Sequence, residues 1–377
     1  MSSPILYLGM DVHKDSVTVA VFGVHDREPR LLEQLPYDLH RIRRFLQRLS
    51  QDGEQIRACY EASGAGYVLQ RQLSAWGYHC DLCAPSLIPT RPGERRKHDK
   101  RDATQLGKHY RDGNLVLIRI PDEAQERVRD LVRCRETFQR EILKSRHYLL
   151  KFLRRRGFVY QEGTNWTAKH YEWIRRLLAQ NQVVAEDHMV LSEYFALLEY
   201  KLDRREELDR RIEELALEPT YQPIVERLRS FRGIETHSAM VLATEIGDWR
   251  RFENPRQLMA YLGLVPTEHS SGETRRQGAI TKCGNAHCRH VLVQAAWSYQ
   301  RRPALSAALK RRQQGQSPQV IAHAWKAQHR VSKLFARIAA RKNRPIAATA
   351  AARELVGFLW AVLQDHEVET VTQARAA

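Results

Sequence analysis

The stretch from Ile5 to Phe22 constrains the fold most. It reads as an apolar run, a polar turn over 13–16 and a β-branched run, which predicts a β-hairpin. Asp11 falls at the end of the first strand, where an ionised carboxylate is costly to bury unless it is paired or binds a cation. A third strand is expected near 30–35, followed by a helix over 39–50 with Ile42, Phe45, Leu46 and Leu49 on one face. The pattern continues as a strand at 56–61, a helix at 66–75, a strand at 78–83 and a helix at 99–110. Three early strands, then alternating helices and strands, predict an α/β domain with a mixed sheet over 1–120.

From Pro121 the period changes. Val128, Leu131, Phe138, Ile142, Leu149 and Phe152 fall at heptad-like spacings, as do Phe195, Leu198, Leu202, Leu208, Ile212 and Leu215. Two long amphipathic helices, about 122–155 and 188–216, fit an antiparallel or dimeric coiled coil, or a bundle packed on its own chain. Residues 121–220 therefore read as a helical coiled-coil or linker region. A third unit, 221–365, opens as helix, tight turn at Gly233, helix. That is either a helix–hairpin–helix, whose turn amides can hold a phosphate, or a plain αα-corner. Helices near 255–262, 284–300 and 345–363 follow, and 366–377 reads as a tail. No uninterrupted apolar run reaches the ~18–20 residues of a membrane span, so no membrane partner is expected.

The chain carries 61 Lys and Arg against 44 Asp and Glu, a net charge of +17. Such an excess favours a polyanionic partner, because each neutralised phosphate releases condensed counterions. Charge alone leaves ribosomal or membrane-surface binding open. Within 301–345 there are twelve Lys or Arg and no acid, which argues for phosphate contact over a merely solvated face. A second basic run, 91–97, includes Arg95, Arg96 and Lys97. The six scattered cysteines imply reduced thiols in a cytoplasm. Cys80 and Cys83 have metal-ligand spacing, but on a strand they point to opposite faces. Cys283, His287, Cys288 and His290 form a second, weak group, and structural zinc at either would need four convergent ligands.

Four carboxylates carry the chemistry. Asp11 and Glu61 end strands, and Asp99 and Asp102, three apart, share one face of a helix's first turn. Taken singly, Asp99 and Asp102 could serve only the helix dipole. If both strand ends and the helix converge, the cluster repels itself unless divalent cations neutralise it, and all-oxygen ligation selects Mg²⁺ or Mn²⁺. Strand Asp, strand Glu, then a helical D-x-x-D is the order of ribonuclease-H-like nucleases of RuvC type.

Farther on stand Gly263-Leu-Val-Pro266, Ser271-Gly272, Lys282-Cys-Gly-Asn285 and a helix from Leu292 to Trp297 ending Ala-Ala-Trp. With Gly9-Met-Asp11, Glu61-Ala-Ser-Gly64 and the 97–103 segment, this resembles the IS-one-ten family of insertion-sequence transposases, serine-dependent DEDD recombinases that include pilin-type DNA invertases. The resemblance implies an α/β plus α chain: a RuvC-like mixed sheet, a helical middle and a mainly helical C-terminal transposase domain. It implies that Asp11, Glu61, Asp99 and Asp102 hold Mg²⁺ (or Mn²⁺). It further implies that Ser271 attacks a DNA phosphate to form a phosphoserine link, with Ser270 as an adjacent competitor. Arg275, Arg276, Lys282 and Arg289 then become phosphate clamps, alongside Arg95, Arg96 and Lys97. Implied partners are double-stranded DNA, a structured guide RNA and further copies of the chain in a dimer or tetramer. Two other classes stay open on the residues alone: a hydrolytic nuclease using water, and a non-catalytic nucleic-acid-binding module. Within the leading class, transposition and inversion use the same chemistry.

Overall fold

The computed structural model describes residues 4–89, 98–179, 184–268 and 276–364. The chain divides into two compact units, Met1–Pro121 and Asp122–Ala377.

The first unit is built on a five-stranded mixed sheet in the order β3-β2-β1-β4-β5. Its strands are β1 (Ile5–Val12), β2 (Ser16–Phe22), β3 (Leu31–Pro36), β4 (Gln55–Glu61) and β5 (His79–Cys83). The hairpin is in place: β1 and β2 pair antiparallel from Tyr7↔Phe22 to Val12↔Val17, and β3 adds antiparallel to β2. β4 pairs parallel to β1, and β5 parallel to β4. Parallel neighbours need crossovers. These crossovers carry α1 (Leu39–Leu49) and α2 (Val68–Ala75).

Side-chain alternation sorts the sheet into two faces. Leu8, Met10, Val19, Ala58, Tyr60, Cys80 and Leu82 point into one core, with Ile42, Phe45 and Leu46 of α1 and Leu69 and Leu73 of α2. Tyr7, Ala20 and Phe22 face the other side with Ala103, as Cys59 and Cys83 do with Leu106. Ala103 and Leu106 belong to α3 (Asp99–Arg111), which covers that face. Cys80 and Cys83 thus point to opposite sides of the sheet, and all six cysteines are free.

α3 lies against bare backbone. A Cβ on Gly9 would stand 2.1 Å from the Gly107 nitrogen and 2.2 Å from the Ala103 carbonyl oxygen. A Cβ on Gly107 would stand 2.8 Å from the Phe22 ring. Only glycine at both positions lets helix and strand approach so closely.

Among the described residues the second unit is helical apart from one small hairpin. α4 (Glu123–Arg155) and α6 (Ala185–Ala216) are the two long helices expected from the heptad-like series. They run antiparallel within one chain: Arg135 pairs with Asp209 at 2.6 Å, Lys201 with Ser145 at 3.0 Å and Arg156 with Asp187 at 2.8 Å, one helix ascending as the other descends. α5 (Ala168–Ala179) packs on one end of this pair through Ile174 and Leu177, against Leu149, Phe152, Leu191 and Phe195. The other end, at Val132, Ile212 and Leu215, merges into a large core.

That core is completed by α7 (Gln222–Arg229), α8 (Thr236–Ile246), α9 (Pro255–Tyr261), α10 (Ala286–Trp297), α12 (Pro318–Ala339) and α13 (Arg344–Gln364). The short α11 (Ala307–Arg312) inserts before α12. The turn joining α7 to α8 abuts α10, with Gly233 against the Ala295 carbonyl. α13 is long and apolar enough by length and composition to cross a membrane, although Arg353 and Glu354 break its apolar run. Here its small-residue face, Ala347, Ala348, Ala351 and Ala352, together with Leu355 and Leu359, is buried in the core.

The Gly9 contact gives the first prediction. Gly9→Ala forces α3 off the sheet and lowers the stability of the chain by about 1–3 kcal/mol, the usual range for overpacking. Urea denaturation of the variant, followed by circular dichroism, measures it; an unchanged midpoint would mean that the helix can move aside freely.

Candidate active site

The close approach of α3 decides where the acidic residues end up. Asp11 lies near the end of β1 on the α3-facing side, two residues beyond Gly9. Glu61 is the last residue of β4, one step past the Met10↔Tyr60 pair and on the same face as Cys59. Asp99 and Asp102 occupy the first turn of α3. All four are thus carried to one end of one face of the sheet.

Asp11 is buried, at 6% exposure, whereas Glu61, Asp99 and Asp102 are half-buried. Burial pushes the Asp11 carboxyl above its ordinary range; His13 pulls it back down, and the Asp99 and Asp102 carboxylates push it up again. His13 follows β1 directly, and its Nε2 stands 3.1 Å from Asp11 Oδ2 and 3.6 Å from Asp99 Oδ1. Ligand atoms of Asp11, His13 and Asp99 all lie within 4.8 Å of one another, the one such metal-compatible group among the described residues. A desolvated carboxylate raised by like charges, beside an imidazole and further carboxylates, is a donor set that fits a divalent cation.

The serine segment is framed, although Ser270, Ser271 and Arg275 themselves lie outside the described residues, as do Arg95, Arg96 and Lys97. On either side, β6 (Pro266–Glu268) and β7 (Gln277–Ile280) pair antiparallel. Below them the two glycines of the flanking motifs interlock. Gly263 (φ 63°) has no room for a Cβ beside the Cys283 carbonyl, and Gly284 (φ 120°) has none beside the Tyr261 carbonyl. Lys282 also adopts a left-handed conformation, φ 57°, and its amide donates to the Gly263 carbonyl at 3.1 Å. Lys282 is exposed, as is Arg276. Arg289 is half-buried and donates through its guanidinium to the Leu262 carbonyl at 2.9 Å, so it braces this frame.

Asn285 closes the frame twice. Its side chain caps α10 by accepting from the Cys288 amide, and its Nδ2 donates to Glu245 at 2.7 Å. Glu245 is buried on α8 and accepts two bonds from Arg133, at 2.6 and 2.9 Å, with Arg129 at 3.7 Å. Burial alone would raise the Glu245 carboxyl; Arg133, Asn285 and Arg129 outweigh it and hold the group below its ordinary value. The frame is therefore tied to α4 by an ionic anchor. His287, one residue before Cys288, bonds Glu136 of α4 through Nδ1 and so ties the start of α10 to the same helix.

The acid-free stretch also takes shape. One side of a groove of about 850 Å³ is formed by Lys326, Arg330, Lys333 and Arg337, spaced along α12, and Arg301 and Arg302 line it as well. Glu354 is the single acid on its lining and is paired with Arg330.

Sequence reasoning missed His13, read as a turn residue, and Glu245, Arg133 and Gly107. A buried Glu in an otherwise apolar run from Ala239 to Ile246 was the available signal for Glu245. Because the Glu245 carboxyl is held below its ordinary value of 4.5, its stabilisation is present above that pH and lost as pH falls through the lower folded value. Glu245→Gln is expected to lower stability by about 3 kcal/mol, the low end for a broken buried pair because Arg133 is partly exposed, and to flatten the acid limb. Thermal melts from pH 7 to 3 give both readings, and parallel curves for variant and wild type would refute the anchor.

Comparison with known proteins accounts for both of these parts. Residues 8–156 match the model for IS110-type DEDD transposases, and 225–311 match the one described as Transposase IS116/IS110/IS902 family. A chain of Sinorhizobium fredii assigned as a transposase, y4qE, is 34% identical over 362 residues, covering 95% of this chain and 88% of that one. The transposase for insertion sequence element IS1533 of Leptospira borgpetersenii is 29% identical, with 90% and 98% covered. The transposase for insertion sequence element IS1111A of Coxiella burnetii is 26% identical, with 63% and 64% covered. With both halves matched in order and a relative above 30% identity along almost the whole length, the chain belongs to the IS116/IS110/IS902 family of insertion-sequence transposases, enzymes that act on DNA.

Proposed function

We propose that this transposase cuts and rejoins DNA strands through a covalent link to Ser271, with Mg²⁺ or Mn²⁺ held by Asp11, Glu61, Asp99 and Asp102. The observation that carries the metal half is the convergence of a buried Asp11 with the first turn of α3, where burial and the Asp99 and Asp102 carboxylates raise the affinity of Asp11 for a proton or a cation. DEDD membership implies divalent-metal use. A bound cation would polarise the scissile phosphate and neutralise charge on the oxygens around it.

The chain's own residues do the rest. In the proposed step the Ser271 Oγ forms a bond to phosphorus as the phosphorus bond to a DNA oxygen breaks. The hydroxyl proton leaves through a nearby base or water, and the departing DNA oxygen takes up a proton to become a free strand end. Attack by another DNA hydroxyl reverses the step, frees the serine and keeps the phosphodiester count constant, so no ATP is needed. Support for the serine comes from the family match across 225–311, which spans it, and from the rigid frame on both sides of it. Exposed Arg276 and Lys282 stand at the edges of that frame as phosphate contacts, with Arg275 and the 95–97 run in the same role. Arg289 is a brace in this reading. The α12 groove holds nucleic-acid backbone, either of element DNA or of an element-encoded structured RNA. Assembly as a dimer or tetramer belongs to the same proposal.

The decisive experiment incubates the protein with its element's terminal DNA, flanking RNA and Mg²⁺, and looks for a protein–DNA adduct on denaturing gels. An adduct lost in Ser271→Ala and kept in Ser270→Ala is the expected outcome. Cleavage without an adduct, indifferent to Ser271, would make the enzyme a RuvC-like hydrolase. For the groove, Lys326→Glu, Lys333→Glu and Arg337→Glu together should flatten the dependence of log binding constant on log salt, by about 0.9 for each duplex phosphate no longer neutralised. An unaltered slope would return α12 to a solvated face.

A further inference from the structure

We propose that His13 is a nitrogen ligand of the cation held by the carboxylates, and that it tilts the site's preference from Mg²⁺ toward Mn²⁺. The inference rests on the metal reading above and goes beyond it, since a DEDD set is built of oxygen donors alone.

The placement of His13 is fixed by the hairpin. It stands two residues after Asp11, so strand alternation keeps both on the face that α3 covers. Its amide donates to the Ser16 carbonyl at 2.8 Å, and the Asp11↔Thr18 and Val12↔Val17 pairs hold the strands up to the turn. The imidazole Nε2 therefore reaches Asp11 Oδ2 at 3.1 Å and Asp99 Oδ1 at 3.6 Å. Ligands around a six-coordinate cation with bonds near 2.1 Å stand about 3–4 Å apart, so these separations are those of a ligand shell. The three atoms come from a strand end, a turn and a helix start, and converge without rearrangement. The His13 and Asp99 side chains are 43% and 46% exposed, which leaves the outer side of the shell open to water or a substrate phosphate.

The donor type then acts on metal choice. Mg²⁺ is hard and is held best by oxygen, whereas imidazole nitrogen gains affinity along the first-row series. Exchanging one oxygen donor for Nε2 weakens Mg²⁺ relative to Mn²⁺ without altering the number of ligands.

The test uses full-length protein and Mn²⁺ itself as probe. Free Mn²⁺ is followed by its electron paramagnetic resonance signal, Mg²⁺ by competition, and the bound ion by electron spin-echo modulation, which detects a coordinated ¹⁴N. The wild type should show one imidazole nitrogen on Mn²⁺. His13→Ala and the bulkier His13→Gln should lose that coupling and weaken Mn²⁺ binding by about tenfold, while changing Mg²⁺ binding by less than about threefold. A wild-type ion without ¹⁴N coupling overturns the proposal, whatever the variants do. So does coupling that survives in both variants, or an equal loss for the two metals, which would leave His13 as a simple ion-pair partner of Asp11. Asp11→Asn separates the two levels. If it binds Mn²⁺ as the wild type does, the carboxylate site itself is wrong; if it loses both metals, that site stands and the ¹⁴N coupling decides the role of His13 alone.

Discussion

The bare-backbone contact between Gly9 and Gly107 is the constraint on which the first unit depends. β1 is the central strand, paired on both edges, and α3 crosses it where neither partner has a side chain. The Phe22 ring packs over the helix glycine, and Ala103 and Leu106 fill the space on either side. A helix seated this low brings its first turn alongside the strand end, so Asp99 and Asp102 stand near Asp11. The same contact covers Asp11 and removes its water. Burial of a carboxylate among carboxylates is unfavourable by itself, and it is relieved by taking up a proton, the direction in which the Asp11 carboxyl is pushed, or by a positive neighbour. Fold and site thus share one cause: the packing that makes the sheet tight also gathers the acidic residues and desolvates Asp11.

The second unit reaches rigidity differently. Its two-stranded hairpin, β6 and β7, has a base closed by two interlocked glycines and by Asn285. Asn285 alone would be a helix cap worth about 1 kcal/mol. Joined to a buried Glu245 that two arginines of α4 neutralise, it becomes part of an anchor that spans three helices. Such a network is stable only when complete. It therefore fixes the base of the β6–β7 hairpin relative to α4, α8 and α10.

Much of this was legible in the sequence because it depends on local periodicity. The strands and helices of the first unit, the two long helices and the spacing of Asp11, Glu61, Asp99 and Asp102 follow from residues close together in the chain. Heptad spacing could not say whether α4 and α6 pair within one chain, and ion pairs such as Arg135–Asp209 show that they do. What escaped were partners far apart in sequence. Gly107 looks like a defect in a helix until Gly9 is placed beneath it, and Glu245 looks like a surface charge until Arg133, 112 residues away, is seen beside it. His13 was hidden by its turn, since polar turn residues are ordinary. Arg289 reads from sequence as a phosphate clamp; that one of its guanidinium nitrogens donates to the Leu262 carbonyl had no local signal.

The charge distribution poses a problem that the two kinds of site answer together. A phosphodiester approaching four carboxylates meets like charge, and at 4 Å each pair repels by about 1 kcal/mol even in water and by several times more where water is excluded. A divalent cation reverses the local sign but does not distinguish DNA from any other phosphate. Discrimination and holding must come from many contacts at a distance from the reacting phosphorus, where binding energy can orient the strand. The acid-free lysines and arginines of α12, kept off any internal carboxylate except Glu354, are suited to that part. A net charge of +17 suits an enzyme that must hold a polyanion against such repulsion.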